Sequence, residues 1–211
     1  MIKKIFFLAI TFLITTVQAQ DAKKLLNEVS AKVRSYDNIV IGFKYALNNP
    51  AENVSQETRG NVTLLGEKYV LNLMGTEQLY DGNKLHIIIP EDEEINISSQ
   101  SAEDEASVTP SKMLTFYEDG YTSQLDIVQN VQGRKIQFVK LIPIDSNSDL
   151  TEILLGVDKQ TKHIYKLIIK QQNGTNITIT VNSFKTNQPL SKTLFVFDES
   201  KYENYYINRL D

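Results

Sequence analysis

The 211-residue sequence predicts a mainly β (α+β) fold in which an antiparallel sheet curls towards a barrel and two helices lie against it. Three observations carry this reading. Period-two apolar runs follow one another along most of the chain, as in "TNITITVNS", where Ile177, Ile179 and Val181 alternate with Thr178, Thr180 and Asn182. Turn dipeptides separate such runs at hairpin distances: Asp81-Gly82, Gln132-Gly133, Asp158-Lys159 and Asn173-Gly174. After the N-terminal apolar run, helical patterns occupy two stretches, "DAKKLLNEVSAKVRSY" and "TPSKMLTFYEDGY".

In chain order, Lys3 and Lys4 precede the apolar run Ile5 to Val17, and Val17-Gln18-Ala19 offers a cleavage site. Residues 1–19 therefore read as a secretory signal peptide cut after Ala19, leaving one soluble domain over 20–211. A retained anchor would need roughly 20 apolar residues, more than this run supplies. The first helix carries Ala22, Leu25, Leu26, Val29, Val33 and Tyr36 on one face opposite Lys23, Lys24, Glu28 and Lys32, with Asp21 as its cap. "NIVIGFKYAL" then switches to period two. Further strands are expected near 54–65, 68–74, 76–80, 84–90, 94–99, 123–132, 135–142, 151–158, 162–172, 175–184 and 193–197.

Between the sixth and seventh strands, Thr109 as N-cap, Pro110 in the first turn and Gly120 as a stop frame a short apolar helix with Met113, Leu114, Phe116 and Tyr117. The polar patch Ser98 to Ser107 leads into it as a mobile connection. A meander of this length leaves two exposed edges unless it curls, so an open or closed barrel is expected. About ten strands without a single Trp leave room inside. On pattern alone, the Thr109 helix is either a plug for that space or a lid over it.

Several functions are excluded on composition. With a net charge of −4 and no basic stripe, the chain offers no electrostatic support for nucleic acid. Having no cysteine, it can form no disulfide and carries no lipid-attachment thiol behind the leader. His86 and His163 fall in unrelated places and read as structural or solvated. The run Glu91 to Glu94 lacks the spacing of a calcium loop, and no nucleophile elbow, phosphate loop or cofactor motif appears. The Asn-x-Ser/Thr matches at Asn53, Asn61, Asn96, Asn173 and Asn176 arise readily by chance in such a composition. An enzyme is not expected, nor a metal site.

The order of "LLNEVSAKVRSYDNIVIGF", "RGNVTLLGEKYVLNL", "LYDGNKLHIIIPEDEEINIS", "TPSKMLTFYEDGY" and "LIPIDSNSDLTEILLGVDKQTKHIYKL" resembles the periplasmic outer-membrane lipoprotein carrier family, the LolA-like proteins, in its Bacteroidetes-type form. The resemblance implies an incomplete antiparallel β-barrel with a helical lid enclosing a hydrophobic cavity. It also implies a monomeric periplasmic carrier that takes acylated lipoproteins from an inner-membrane lipoprotein-releasing ABC transporter to an outer-membrane acceptor. Such a carrier answers a physical need: at about 0.8 kcal/mol per methylene, an acyl chain of about sixteen carbons costs on the order of 12 kcal/mol to expose to water.

Under this reading the cavity is expected to draw on Phe43, Leu71, Leu73, Ile87, Ile97, Phe138, Ile177 and Ile179, and the lid on Met113, Leu114 and Phe116. One departure concerns gating. Where well-studied branches carry an Arg-Pro pair whose arginine holds the lid closed, this chain has Gly66-Glu67, and Arg59, earlier on the strand, does not take over the role. Another reading with the same cavity is a binder of a different lipid or hydrophobic ligand, or an envelope lipoprotein sensor.

Overall fold

The computed structural model describes residues 20–99 and 109–210. The expected leader and its cleavage site lie outside the described residues, as does most of the polar connection Ser98 to Ser107. Residues 20–34 form helix α1. Twelve strands follow: β1 (Ile39–Asn49), β2 (Val54–Leu65), β3 (Lys68–Leu73), β4 (Thr76–Tyr80), β5 (Lys84–Ile89), β6 (Glu94–Ser99), β7 (Tyr121–Val131), β8 (Arg134–Pro143), β9 (Leu150–Asp158), β10 (Ile164–Gln171), β11 (Asn176–Thr186) and β12 (Tyr206–Arg209). They make one sheet in the order β12-β6-β5-β4-β3-β2-β1-β11-β10-β9-β8-β7. The sheet is not closed, since β12 and β7 end it without pairing with each other, so the mainly β fold with an incomplete sheet is the one the sequence predicts.

Two compact units divide the chain. The first holds α1 together with Leu47–Gln56 and Phe116–Thr180. Its hairpins turn where the dipeptides place them. Gln132 and Gly133 both adopt left-handed backbone, at φ 50° and 80°, as a two-residue hairpin turn requires. At the β9–β10 turn the buried Asp158 accepts from the backbone N–H groups of Gln160 and Thr161 at 2.9 and 3.2 Å. Helix α1 buries Ala22, Leu26 and Val29, the core of its predicted stripe, while Lys23, Lys24 and Lys32 stay exposed or nearly so. Asp21, expected as the cap, is itself helical.

The second unit holds Ser35–Ala46, the described part of Glu57–Thr115, and residues 181–210. Its strands β2 to β6 form an antiparallel meander. One expected strand is absent. Residues 193–197, "TLFVF", are not a strand: their backbone closes local turns, Leu194 N–H donating to Ser191 O at 3.2 Å and Val196 N–H to Thr193 O at 3.1 Å. The last strand is instead Tyr206–Arg209, which pairs with β6 in parallel and so breaks the expected antiparallel rule. Residues 187–205 are the crossover that carries the chain from β11 to this edge of the sheet.

The stretch from Thr109 to Gly120 is also different from the predicted helix. The start signals work: Thr109 accepts from Lys112 N–H through Oγ1 at 3.3 Å and from Met113 N–H through its carbonyl at 3.0 Å. Two 3-10 turns follow, Lys112–Leu114 and Phe116–Glu118, in place of one α-helix. Between them Thr115 leaves helical geometry at φ −137°. So few residues between Pro110 and Gly120 cannot repay α-helix nucleation, and side-chain anchoring decides the conformation.

Candidate functional site

The register of the second unit sorts its side chains onto two unlike faces. Val62, Leu71, Gln78, Ile87 and Asn96 stand in one row across β2 to β6. By alternation Tyr69, Leu73, Tyr80, Leu85 and Ile89 share their face. Phe43 joins them, because a Cβ built on Gly60, the partner of Leu73, would lie 2.5 Å from the Phe43 ring. The opposite face presents Val70, Leu79, Ile88, Ile95 and Ile97, all buried.

What buries that opposite face is the crossover segment. Phe195, with Leu190, Leu194 and Phe197, packs on Val70 and Leu79. Phe197, Tyr202, Tyr205 and Ile207 pack on Ile88, Ile95 and Ile97. His86 belongs to this seal: it is buried, its ring stacked on Phe197 at 4.4 Å and its Nδ1 3.3 Å from Leu79 O. On the first face Phe43, Val62 and Tyr69 are also buried. Leu71, Leu73, Leu85, Ile87 and Ile89 remain half-buried there, an aliphatic stripe with Gln78 as the polar member of the central row on β4.

Of the residues singled out by sequence, Phe43, Leu71, Leu73 and Ile87 therefore share one apolar face, and Ile97 lies on the other, under the crossover. Sequence reasoning passed over Leu85, Ile89, Val62 and Tyr80, although two-residue spacing from Ile87 would have found Leu85 and Ile89. In the first unit, Ile179, Leu167, Leu155 and Val139 form one row and Ile177, Ile169, Ile153 and Leu141 another on the same face. Phe138 lies on the reverse face, its ring filling the space over Gly156, where a Cβ would come within 3.0 Å.

The two 3-10 turns are held by different partners. In the second unit, Leu114 is buried and Met113 half-buried, and Ser111 Oγ donates long hydrogen bonds to Gly66 O at 3.5 Å and Glu67 O at 3.4 Å. The β2–β3 turn thus reaches this segment through backbone carbonyls. In the first unit, Phe116 is half-buried and packs edge-on against Tyr117 and Tyr121 at 5.5 and 5.7 Å. Tyr117 is buried, and its hydroxyl accepts from Ser30 Oγ at 3.1 Å. Burial pushes the Tyr117 phenol up to about 12, so it stays protonated. Glu118 forms an ion pair with Arg34, a second tie from this turn to α1.

Such an arrangement can hold apolar matter. Among the described residues no group of three or more His, Cys, Asp and Glu could hold a metal ion. His163, half-buried beside Asp158, is lowered chiefly by burial, with Lys32 adding to it. No helix among the described residues is long and apolar enough to cross a membrane.

The family model described as outer membrane lipoprotein carrier protein LolA matches residues 77–198, which include β5, the Thr109 segment and most of the crossover. An uncharacterized conserved protein from Thermus thermophilus superposes with a TM-score of 0.55 at 9% identity, over 87% of this chain and 98% of its own. LprF from Mycobacterium bovis gives 0.50 at 14% identity, over 82% and 95%. A LolA superfamily protein from Nitrosomonas europaea gives 0.45 at 14%, over 84% and 98%. At these identities the first two are likenesses of fold alone. No curated relative matches the chain in sequence.

Proposed function

The chain belongs to the outer membrane lipoprotein carrier family LolA, and from that membership we propose that it is a periplasmic carrier that shields the acyl chains of lipoproteins on the apolar face of β2 to β6. The observation that carries this reading is the contrast between the two faces of that sheet. The chain devotes four aromatic residues, Phe195, Phe197, Tyr202 and Tyr205, to sealing one face and leaves the aliphatic stripe on the other half-buried. Phe43, Leu71, Leu73 and Ile87 form that stripe's contact with ligand, and Met113 and Leu114 its lid; Phe116 is the apolar residue of the following turn, in the first unit. Ile177 and Ile179 extend the apolar lining in their own unit. Aliphatic side chains without hydrogen-bonding partners suit a ligand that has to be released as well as held.

In this role the protein receives acylated lipoproteins from an inner-membrane releasing ABC transporter and delivers them to an outer-membrane acceptor. Gly66-Glu67 favours a second reading, a relative that binds another lipid or senses lipoproteins, because the turn offers the Thr109 segment backbone carbonyls in place of a side-chain latch. Reconstitution separates the two. Inner-membrane vesicles bearing the releasing transporter and a labelled lipoprotein are incubated with the protein, and soluble lipoprotein is measured. A carrier releases it as a one-to-one complex; binding of free lipid without release supports the second reading; uptake of neither sinks both.

A further inference from the structure

On the sealed side of the second unit, where the crossover passes β3 to β5, lies a pocket of about 360 Å³ that the acyl-binding reading does not use. Its floor is a cross-strand row: Asn61 pairs with Asn72, Asn72 with Glu77 and Glu77 with Ile88. Tyr202 and Tyr205 form its wall, edge to face at 5.1 Å. That wall is stiff, because Tyr202 stacks on Phe197 at 5.5 Å and Phe197 on the buried His86. The rim is the β3–β4 turn, where Met74 adopts left-handed backbone at φ 54° with its side chain half exposed. A long apolar residue in that conformation is uncommon and costs free energy that Asn or Gly would not.

The polar chemistry of the floor is selective. Asn72 Nδ2 donates to Asn61 Oδ1 at 3.4 Å, which leaves the second carboxamide pair, Asn61 Nδ2 and Asn72 Oδ1, as a donor beside an acceptor. Glu77 is half-buried and its carboxylate makes no hydrogen bond or ion pair among the described residues, while Arg59 lines the same pocket. A purely apolar ligand would strand the two amides and the carboxylate. An anion meets Glu77, and a compact cation meets Arg59 with only one carboxylate to compensate. A hydroxyl both donates and accepts, so adjacent hydroxyls match the amide pair and Glu77, and a ring with C–H faces matches the tyrosine wall.

We propose that this pocket binds a saccharide unit, with a sugar ring against Tyr205 and its hydroxyls on Asn61, Asn72 and Glu77. The proposal does not rest on the carrier reading: the pocket's floor and the aliphatic stripe occupy opposite faces of the sheet, and of the stripe only Leu73, beside the β3–β4 turn, also lines the pocket. The test is a microarray of neutral and acidic oligosaccharides probed with the full chain, followed by titration of the strongest binder with chemical shifts as readout. Tyr205→Ala and Asn72→Ala are expected to weaken binding about tenfold or more, and Tyr205→Phe to keep most of it. Leu71→Ala, on the other face, is expected to leave the affinity unchanged. Thermal unfolding of each variant separates loss of fold from loss of contact. An array without binders, or an affinity that Tyr205→Ala and Asn72→Ala leave intact in folded protein, overturns the proposal.

Discussion

Glu152 lies between two lysines, with Lys170 Nζ 2.7 Å from one carboxylate oxygen and Lys140 Nζ 3.2 Å from the other. The hydrogen bond from Lys170 is the main cause that lowers its pKa below the ordinary 4.5. A carboxyl group lowered in the folded state stabilises fully above its unfolded value and loses that contribution as pH falls through the folded one. Glu152→Gln should therefore destabilise the protein at neutral pH, and the gap to the parent should close as pH is taken below 4.5 in urea unfolding. A gap independent of pH would mean that the carboxylate contributes by packing alone. Gly60 sets a different single-residue limit. A Cβ there would meet Phe43 Cζ at 2.5 Å and the Asn72 carbonyl oxygen at 2.9 Å, and although the ring can turn, the carbonyl cannot. Gly60→Ala should cost about 1–3 kcal/mol in chemical unfolding and push Phe43 off the apolar face. Gly156→Ala, which meets only side chains at 3.0 Å and beyond, should cost less.

The two 3-10 turns allow an element-scale test of lid against plug. Leu114 is sealed at 8% exposure, so Leu114→Ala should behave as a core truncation and cost about 2–5 kcal/mol. Phe116 is half-buried, and Phe116→Ala should cost less stability while acyl retention falls. Hydrogen exchange measured alongside should find the amides of Lys112–Tyr117 faster than those around Ile177 in lipid-free protein, and slowed by bound lipid. Equal protection in both states would identify a plug. At this scale the sequence was readable wherever local chemistry decides: hairpin turns at Gln132-Gly133 and Asp81-Gly82, the α1 stripe, and the face shared by Leu71, Leu73 and Ile87. It was unreadable where a distant segment decides. "TLFVF" alternates like a strand because Phe195 and Phe197 both face the sheet, yet they cover it without joining it. Tyr206–Arg209 is too short and polar to announce a strand. Ile97 alternates cleanly, but the face it occupies follows from Phe197, Tyr202 and Tyr205, residues about a hundred positions away.

For the molecule as a whole, the unlike faces of β2 to β6 mean that substitutions on one face and on the other should separate function from folding. Ile87→Glu, on the half-buried stripe, should abolish acyl retention in native mass spectra with a modest loss of stability, whereas Ile97→Ala should lower stability by about 2–5 kcal/mol and leave retention in the surviving fold intact. The reverse pattern would place the ligand on the sealed side. The seal also has a temporal meaning. The crossover is fastened at its start by Asn38, whose amide donates to Gln188 O at 2.9 Å and whose Oδ1 accepts from Gln188 N–H at 2.9 Å, and at its end by β12 on β6. A ribosome makes this strap after the meander, so Val70, Leu79, Ile88, Ile95 and Ile97 emerge long before their cover exists. On this order of synthesis the outer face of the meander stays uncovered until the strap has been made. Stalled nascent chains ending before Phe195 should stay protease-sensitive through β3 to β6 and become resistant once Tyr206–Arg209 has cleared the tunnel. Resistance at the shorter length would mean that the sheet closes its own outer side by some other contact.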